Sequence, residues 1–122
     1  MNILIQLRGN DQDPVHTGDM KSWFYYYKWV PGEDNEVFYP LGEDEFPELK
    51  EGDTLWFAMD QVLVGKVPLL RVVQDDMNDR KELWYNCKDC VPASEEVTFG
   101  ASNGVISDEL LKVLEAVCTP KE

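Results

Sequence analysis

The residues best equipped for covalent or metal chemistry are few. Cys87 and Cys90 form a lone Cys-x-x-Cys, Cys118 is the third cysteine and His16 the single histidine. A zinc site needs four ligands, and Cys118 and His16 come from distant segments with no matching spacing. A thioredoxin-like dithiol needs a strand-to-helix turn whose helix N-terminus lowers the first thiol's pKa, whereas Val91-Pro92 follows here and no helical pattern begins. The pair therefore reads as two reduced thiols at a strand end. His16 lies among Asp11, Asp13 and Asp19, without the Gly and Glu positions of a calcium EF-hand loop, and reads as an ordinary loop. A Ser-His-Asp or Cys-His site would have to use His16, and nothing places it beside a Cys or Ser. Twenty-four Asp and Glu offer some carboxylate pair at a workable separation in any fold, so their number carries no signal of acid–base catalysis. No metal, cofactor or catalytic residue is assigned, and the residue set favours binding over catalysis.

Binding chemistry is better represented. The stretch "KSWFYYYKWVPG" places six of the chain's 14 aromatic rings within residues 23–29. As a strand it puts Trp23, Tyr25, Tyr27 and Trp29 on one face and Phe24, Tyr26, Lys28 and Val30 on the other. Four large rings offer roughly 600–1,000 Å² of surface, against about 300–600 Å² for the largest apolar patch of a typical monomer. One face suits the core. The other needs cover from this chain, a second copy or a ligand. Two further pairs, Trp56-Phe57 and Trp84-Tyr85, place neighbouring rings on opposite faces, so one ring of each enters the core and the other faces outward or into a cleft. The candidate ligand-binding residues are thus Trp23, Tyr25, Tyr27, Trp29, Trp56, Trp84 and Tyr85. A cleft lined by these rings, with carboxylates nearby, suits a flat aromatic or a cationic ligand; core packing is the competing reading for each ring taken singly.

The elements that must position these rings are mostly strands. Ile3, Ile5 and Leu7 alternate with Leu4, Gln6 and Arg8, the period of a half-buried strand. "GNDQDPVHTGD" is a turn-rich connection, and Pro31-Gly32 stops the aromatic strand. Residues 33–53 read as an irregular connection with a short helical turn at "FPELKEG". "TLWFAM", "VLVGKVPLLRVV" and "ELWYNC" are strands, the second of them long, with Gly65 and Pro68 marking a bulge or bend that lets a sheet curl. "EVTFG" and "VI" add short β pieces. Ser107 caps a helix with Asp108 and Glu109 at its positive end and Leu110, Leu111, Leu114 and Val117 at core spacing. The expected fold is mainly β within an α+β class, a small curled antiparallel sheet or partly open barrel with a C-terminal helix, in one domain over residues 1–122.

"ELKEGDTLWFAMDQVLVGKVPLLRV" followed by "ELWYN", within residues 48–86, resembles the pattern of PUA-like pseudo-barrel domains, including the EVE and ASCH groups. There a Gly-Asp turn leads into an aromatic-apolar strand, then a strand with a central glycine such as Gly65, then an acidic-aromatic strand end. The resemblance implies a curled sheet with a cleft that in many members takes RNA or a modified base. This chain departs from that pattern where binding matters, because it has no basic cluster.

Charge narrows the partners. The formal net charge is −13, from 11 Lys and Arg against 24 Asp and Glu, which opposes a phosphate backbone. Residues 31–60 hold ten acids and Lys50 alone, whereas residues 61–90 hold five charges of each sign. No stretch approaches the roughly 18–20 apolar residues that span a bilayer, and "MNILIQLR" is too short an apolar run for a secretory signal. An odd cysteine count fits a reducing compartment, so a soluble, cytoplasmic protein is expected. Two functions follow: a non-catalytic domain with an aromatic cleft for a small aromatic or cationic ligand, and an acidic interaction module that pairs with a second copy or a basic partner, or imitates nucleic acid.

Overall fold

The computed structural model describes residues 2–7, 28–42, 49–59, 61–77, 79–98 and 104–118. In chain order the elements are β1 (Asn2–Leu7), β2 (Glu36–Gly42), β3 (Thr54–Met59), β4 (Val62–Pro68), β5 (Arg71–Asp75), β6 (Arg80–Asn86), a 3₁₀ turn (Cys87–Asp89), β7 (Val91–Pro92), β8 (Gly104–Val105) and α1 (Asp108–Val117). A five-stranded sheet runs β7-β4-β3-β1-β8, and a three-stranded sheet runs β2-β6-β5. All pairings are antiparallel except β1 with β3. Among the described residues the fold is mainly β, in two sheets, with a C-terminal helix.

Burial explains the stacking. Ile3, Ile5, Leu55, Phe57, Val64 and Val67 of the larger sheet form one apolar cluster with Tyr39, Leu83 and Tyr85 of the smaller, so the two sheets face each other across a common core. On the other side of the larger sheet, Leu4, Trp56, Ala58 and Leu63 pack against Ile106, Leu114 and Cys118. The central strands β1 and β3 are therefore covered on both faces. This corrects the half-buried reading of β1, because Leu4 is as buried as Ile3 and Ile5. It also corrects the expectation for Trp56-Phe57, since both rings are fully buried; the alternation is real, but each face has its own cover.

The long run from Val62 to Val73 is two strands. Register slips opposite Gly65, where Phe57 pairs with Gly65 and Ala58 with Leu63, leaving Val64 as the inserted residue. Beyond Pro68 the chain leaves the larger sheet and enters the smaller as β5. A Cβ on Gly65 would sit 2.6 Å from Cζ2 of Trp29 and closer still to the Val91 carbonyl oxygen. The glycine admits both an edge strand and an indole.

Residues 33–53 differ most from expectation. Glu36–Gly42 forms β2, with Val37 and Tyr39 facing the core and Glu36 and Phe38 facing away. Among the described residues β2 is an edge strand, the position in a sheet that tolerates a proline such as Pro40. The short helical turn expected at "FPELKEG" begins outside the described residues, and Glu51-Gly52 is a turn. There Gly52 takes a φ of +93°, which favours glycine. Asp53 Oδ2 accepts from Lys50 N at 2.9 Å. At the other end Ser107 Oγ accepts from Leu110 N at 3.3 Å and caps α1 as expected. No helix among the described residues is long and apolar enough to cross a membrane.

Candidate functional site

The sequence-selected rings fall on three surfaces. Trp29 and Tyr85 lie in the core between the sheets, where each packs on Phe57, at 5.9 and 5.6 Å between ring centroids. Trp56 lies on the helix side, its indole N–H donating to Asn2 Oδ1 at 3.0 Å. Trp84 alone of these four faces outward, from the outer surface of the smaller sheet. Trp23, Tyr25 and Tyr27 lie outside the described residues, as does His16 with its neighbouring carboxylates.

Around Trp84 the small sheet builds a row of three side chains. Register pairs Phe38 of β2 with Trp84 of β6, and Trp84 with Arg71 of β5, so all three stand on one face. The Phe38 and Trp84 rings are 5.0 Å apart between centroids, tilted at 42°. The Arg71 guanidinium carbon lies 4.8 Å from the Trp84 ring centre, and Arg71 Nη1 meets Glu36 Oε1 at 2.7 Å. Glu82 accepts from the Trp84 indole N–H at 3.1 Å, fixing the ring's rotation. Across the row, Lys28 Nζ sits 4.0 Å from the Phe38 ring centre and donates to the Phe38 carbonyl. Each ring thus carries a cation, and two carboxylates border the pair.

Lys28 is held from below. Its carbonyl accepts from the Tyr85 hydroxyl at 2.9 Å and from the Cys87 thiol at 3.3 Å. Burial lowers the Lys28 pKa to about 8; Glu82 opposes that shift and Arg80 reinforces it. The same dryness pushes the Tyr85 hydroxyl well above its usual range, with Cys90 and Cys87 adding to it.

The thiols are built for packing. Cys87 and Cys90 are free and buried at the two ends of the 3₁₀ turn, with Cys90 N donating to Cys87 O at 3.1 Å. Burial, then the neighbouring Cys87, raises the Cys90 pKa, the reverse of what a reactive thiolate needs. Asn86 Oδ1 caps this turn by accepting from Lys88 N at 3.0 Å, and it also accepts from Asn35 N at 3.1 Å. Among the described residues no group of three His, Cys, Asp or Glu is placed to hold a metal ion.

Phe38, Glu36 and Arg71 escaped the sequence reading. The signal was present: in "EVFYPLG", Val37, Tyr39 and Leu41 alternate with Glu36, Phe38 and Pro40. Its acidic surroundings and the proline disguised it as a loop. Compared with known proteins, the chain matches no family model, no curated protein and no solved structure.

Proposed function

We propose that this chain is a non-catalytic binding domain whose recognition surface is the outer face of the β2-β6-β5 sheet, centred on Phe38 and Trp84, and that its ligand is a small cationic group. The observation that carries this reading is Arg71. Its guanidinium lies over the Trp84 ring with one nitrogen on Glu36, which is the environment that a methylated amine or guanidinium ligand would need. Arg71 and Glu36 are each about half exposed, at 48%, and such a surface pair contributes roughly 0–1 kcal/mol. A ligand cation can therefore displace the guanidinium at small cost and gain both the indole face and the carboxylate. The resemblance of residues 48–86 to PUA-like domains implies a curled sheet with a cleft for RNA or a modified base, and of these the acidity of the chain leaves room only for a small ligand. The net charge of −13 favours a positive ligand and opposes a polyphosphate one.

The test is a calorimetric titration with tetramethylammonium and with trimethyllysine. Wild type should bind saturably, Arg71→Ala should bind more tightly because the internal competitor is gone, and Trp84→Ala should weaken binding roughly 2- to 30-fold, the range of a cation–π contact. Absence of saturable binding by both wild type and Arg71→Ala would refute the proposal, as would equal binding by Trp84→Ala.

A further inference from the structure

The smaller sheet has a second unusual feature, on its edge rather than its face. Among the described residues β5 is the outermost strand of the order β2-β6-β5. Val73 at its centre is 38% exposed, and Met77 in the turn that follows is 96% exposed. An edge strand presents backbone donors and acceptors that can pair with another chain, and proteins commonly guard such edges with charge. Here the two charged residues of the strand, Arg71 and Asp75, stand at its two ends and are of opposite sign.

We propose that β5 pairs antiparallel with β5 of a second copy of this chain, about a two-fold axis through Val73, joining two three-stranded sheets into one of six. An axis perpendicular to the sheet keeps outer residues opposite outer residues, so only registers that match side-chain parity are allowed. Centring on Val73 sets Val73 against its symmetry mate, Val72 against Gln74, and Arg71 against Asp75 at both ends. Moving the axis to Val72 or to Gln74 sets Arg71 or Asp75 against valine and loses both ion pairs. Cross-strand pairs of opposite charge each favour their register by about 0.2–1 kcal/mol.

Local electrostatics permit the approach. Residues 61–90 carry five charges of each sign, in a chain of net charge −13. The strand β5 itself carries one charge of each sign, Arg71 and Asp75, so the two strands that meet are each neutral. Arg71 and Asp75 already have partners on their own chain, Glu36 and Arg80, at 2.7 and 3.2 Å. Arg71 is half exposed and exchanges one carboxylate for another by turning about its own strand, while Asp75 adds the second copy's Arg71 to the partners it already has. Five residues per strand bury less than the roughly 1,200 Å² of a standard stable interface, so the dimer is concentration-dependent. The edge pairing does not depend on the ligand reading, because mass alone reports it.

Sedimentation velocity over a concentration series up to the solubility limit tests this. Wild type should show a reversible monomer–dimer equilibrium. Arg71→Glu and Asp75→Arg should each weaken it roughly tenfold or more, since each sets two like-charged pairs across the axis. Mixing the two variants should restore dimerisation: the introduced glutamate of one chain then meets the introduced arginine of the other, and the remaining Asp75 meets the remaining Arg71. That rescue cannot come from refolding either variant, as every chain in the mixture keeps its own internal defect. A wild type that stays monomeric throughout, a dimer indifferent to both reversals, or a mixture no better than its components would each overturn the proposal.

Discussion

Lys28 carries the sharpest consequence of the site's construction at the scale of single residues. It is buried, with its ammonium against the Phe38 ring and carbonyl, and burial brings its pKa from 10.5 to about 8. Between those two values the unfolded chain binds the proton and the folded one releases it, so stability rises with pH across pH 8–10.5. Below pH 8 both states are protonated and the folded state bears the full cost of the buried charge. Cys90 and Tyr85, whose pKa values are raised, act in the opposite direction as the pH climbs. The test is therefore a difference: urea unfolding of wild type and Lys28→Met at pH 8 and at pH 10.5 should show the wild type gaining on the variant by on the order of a few kcal/mol. A constant gap between the two proteins would mean that Lys28 is not held in a dry site. Of the rings read from sequence, Trp84 was legible as one of an outward and inward pair. Trp56 was not, because alternation reports which side a ring takes and is silent on whether that side is covered.

The informative elements are the strands on which the chain changes sheets. Pattern alone locates β3, β6 and α1, through the apolar run of β3, the aromatic-apolar end of β6 and the helical spacing of α1. It merges β4 and β5, because a chain that crosses from one sheet to the other at Pro68-Leu69 stays apolar throughout. It loses β2, because a short strand that begins with Glu36, follows the acidic Glu33-Asp34 and has a proline within it has the composition of a loop. The bend expected at Gly65 is present as the register slip between β3 and β4. The position is demanding: a Cβ there collides with the Val91 carbonyl and the Trp29 ring. Gly65→Ala should destabilise the fold by about 1–3 kcal/mol, the usual cost of overpacking. Since Trp29 would have to move, the variant's near-ultraviolet circular dichroism should change as well. An alanine variant with wild-type stability and an unchanged aromatic spectrum would show that β7 and Trp29 do not press on this glycine.

At the scale of the whole molecule, the described residues form three layers: α1 covers one face of the larger sheet and the smaller sheet covers the other, and the proposed binding surface is the outer face of the smaller sheet. Residues Trp29, Tyr39, Trp56, Phe57 and Tyr85 are spent on the two cores. Phe38 and Trp84 are only half-buried, and they are the described rings that stand outside both. The acidity of the chain was legible in the sequence; that its carboxylates Glu36 and Glu82 flank a ring pair was not, since it depends on strand pairing across nearly fifty residues. The most direct measurement is a ¹H–¹⁵N spectrum of the tryptophan indole N–H groups during titration with tetramethylammonium. The Trp84 resonance should move saturably while that of Trp56, buried beneath α1 and bonded to Asn2, stays in place. A Trp84 resonance that does not move, or one that moves only in step with Trp56, would contradict the outer face as the binding surface.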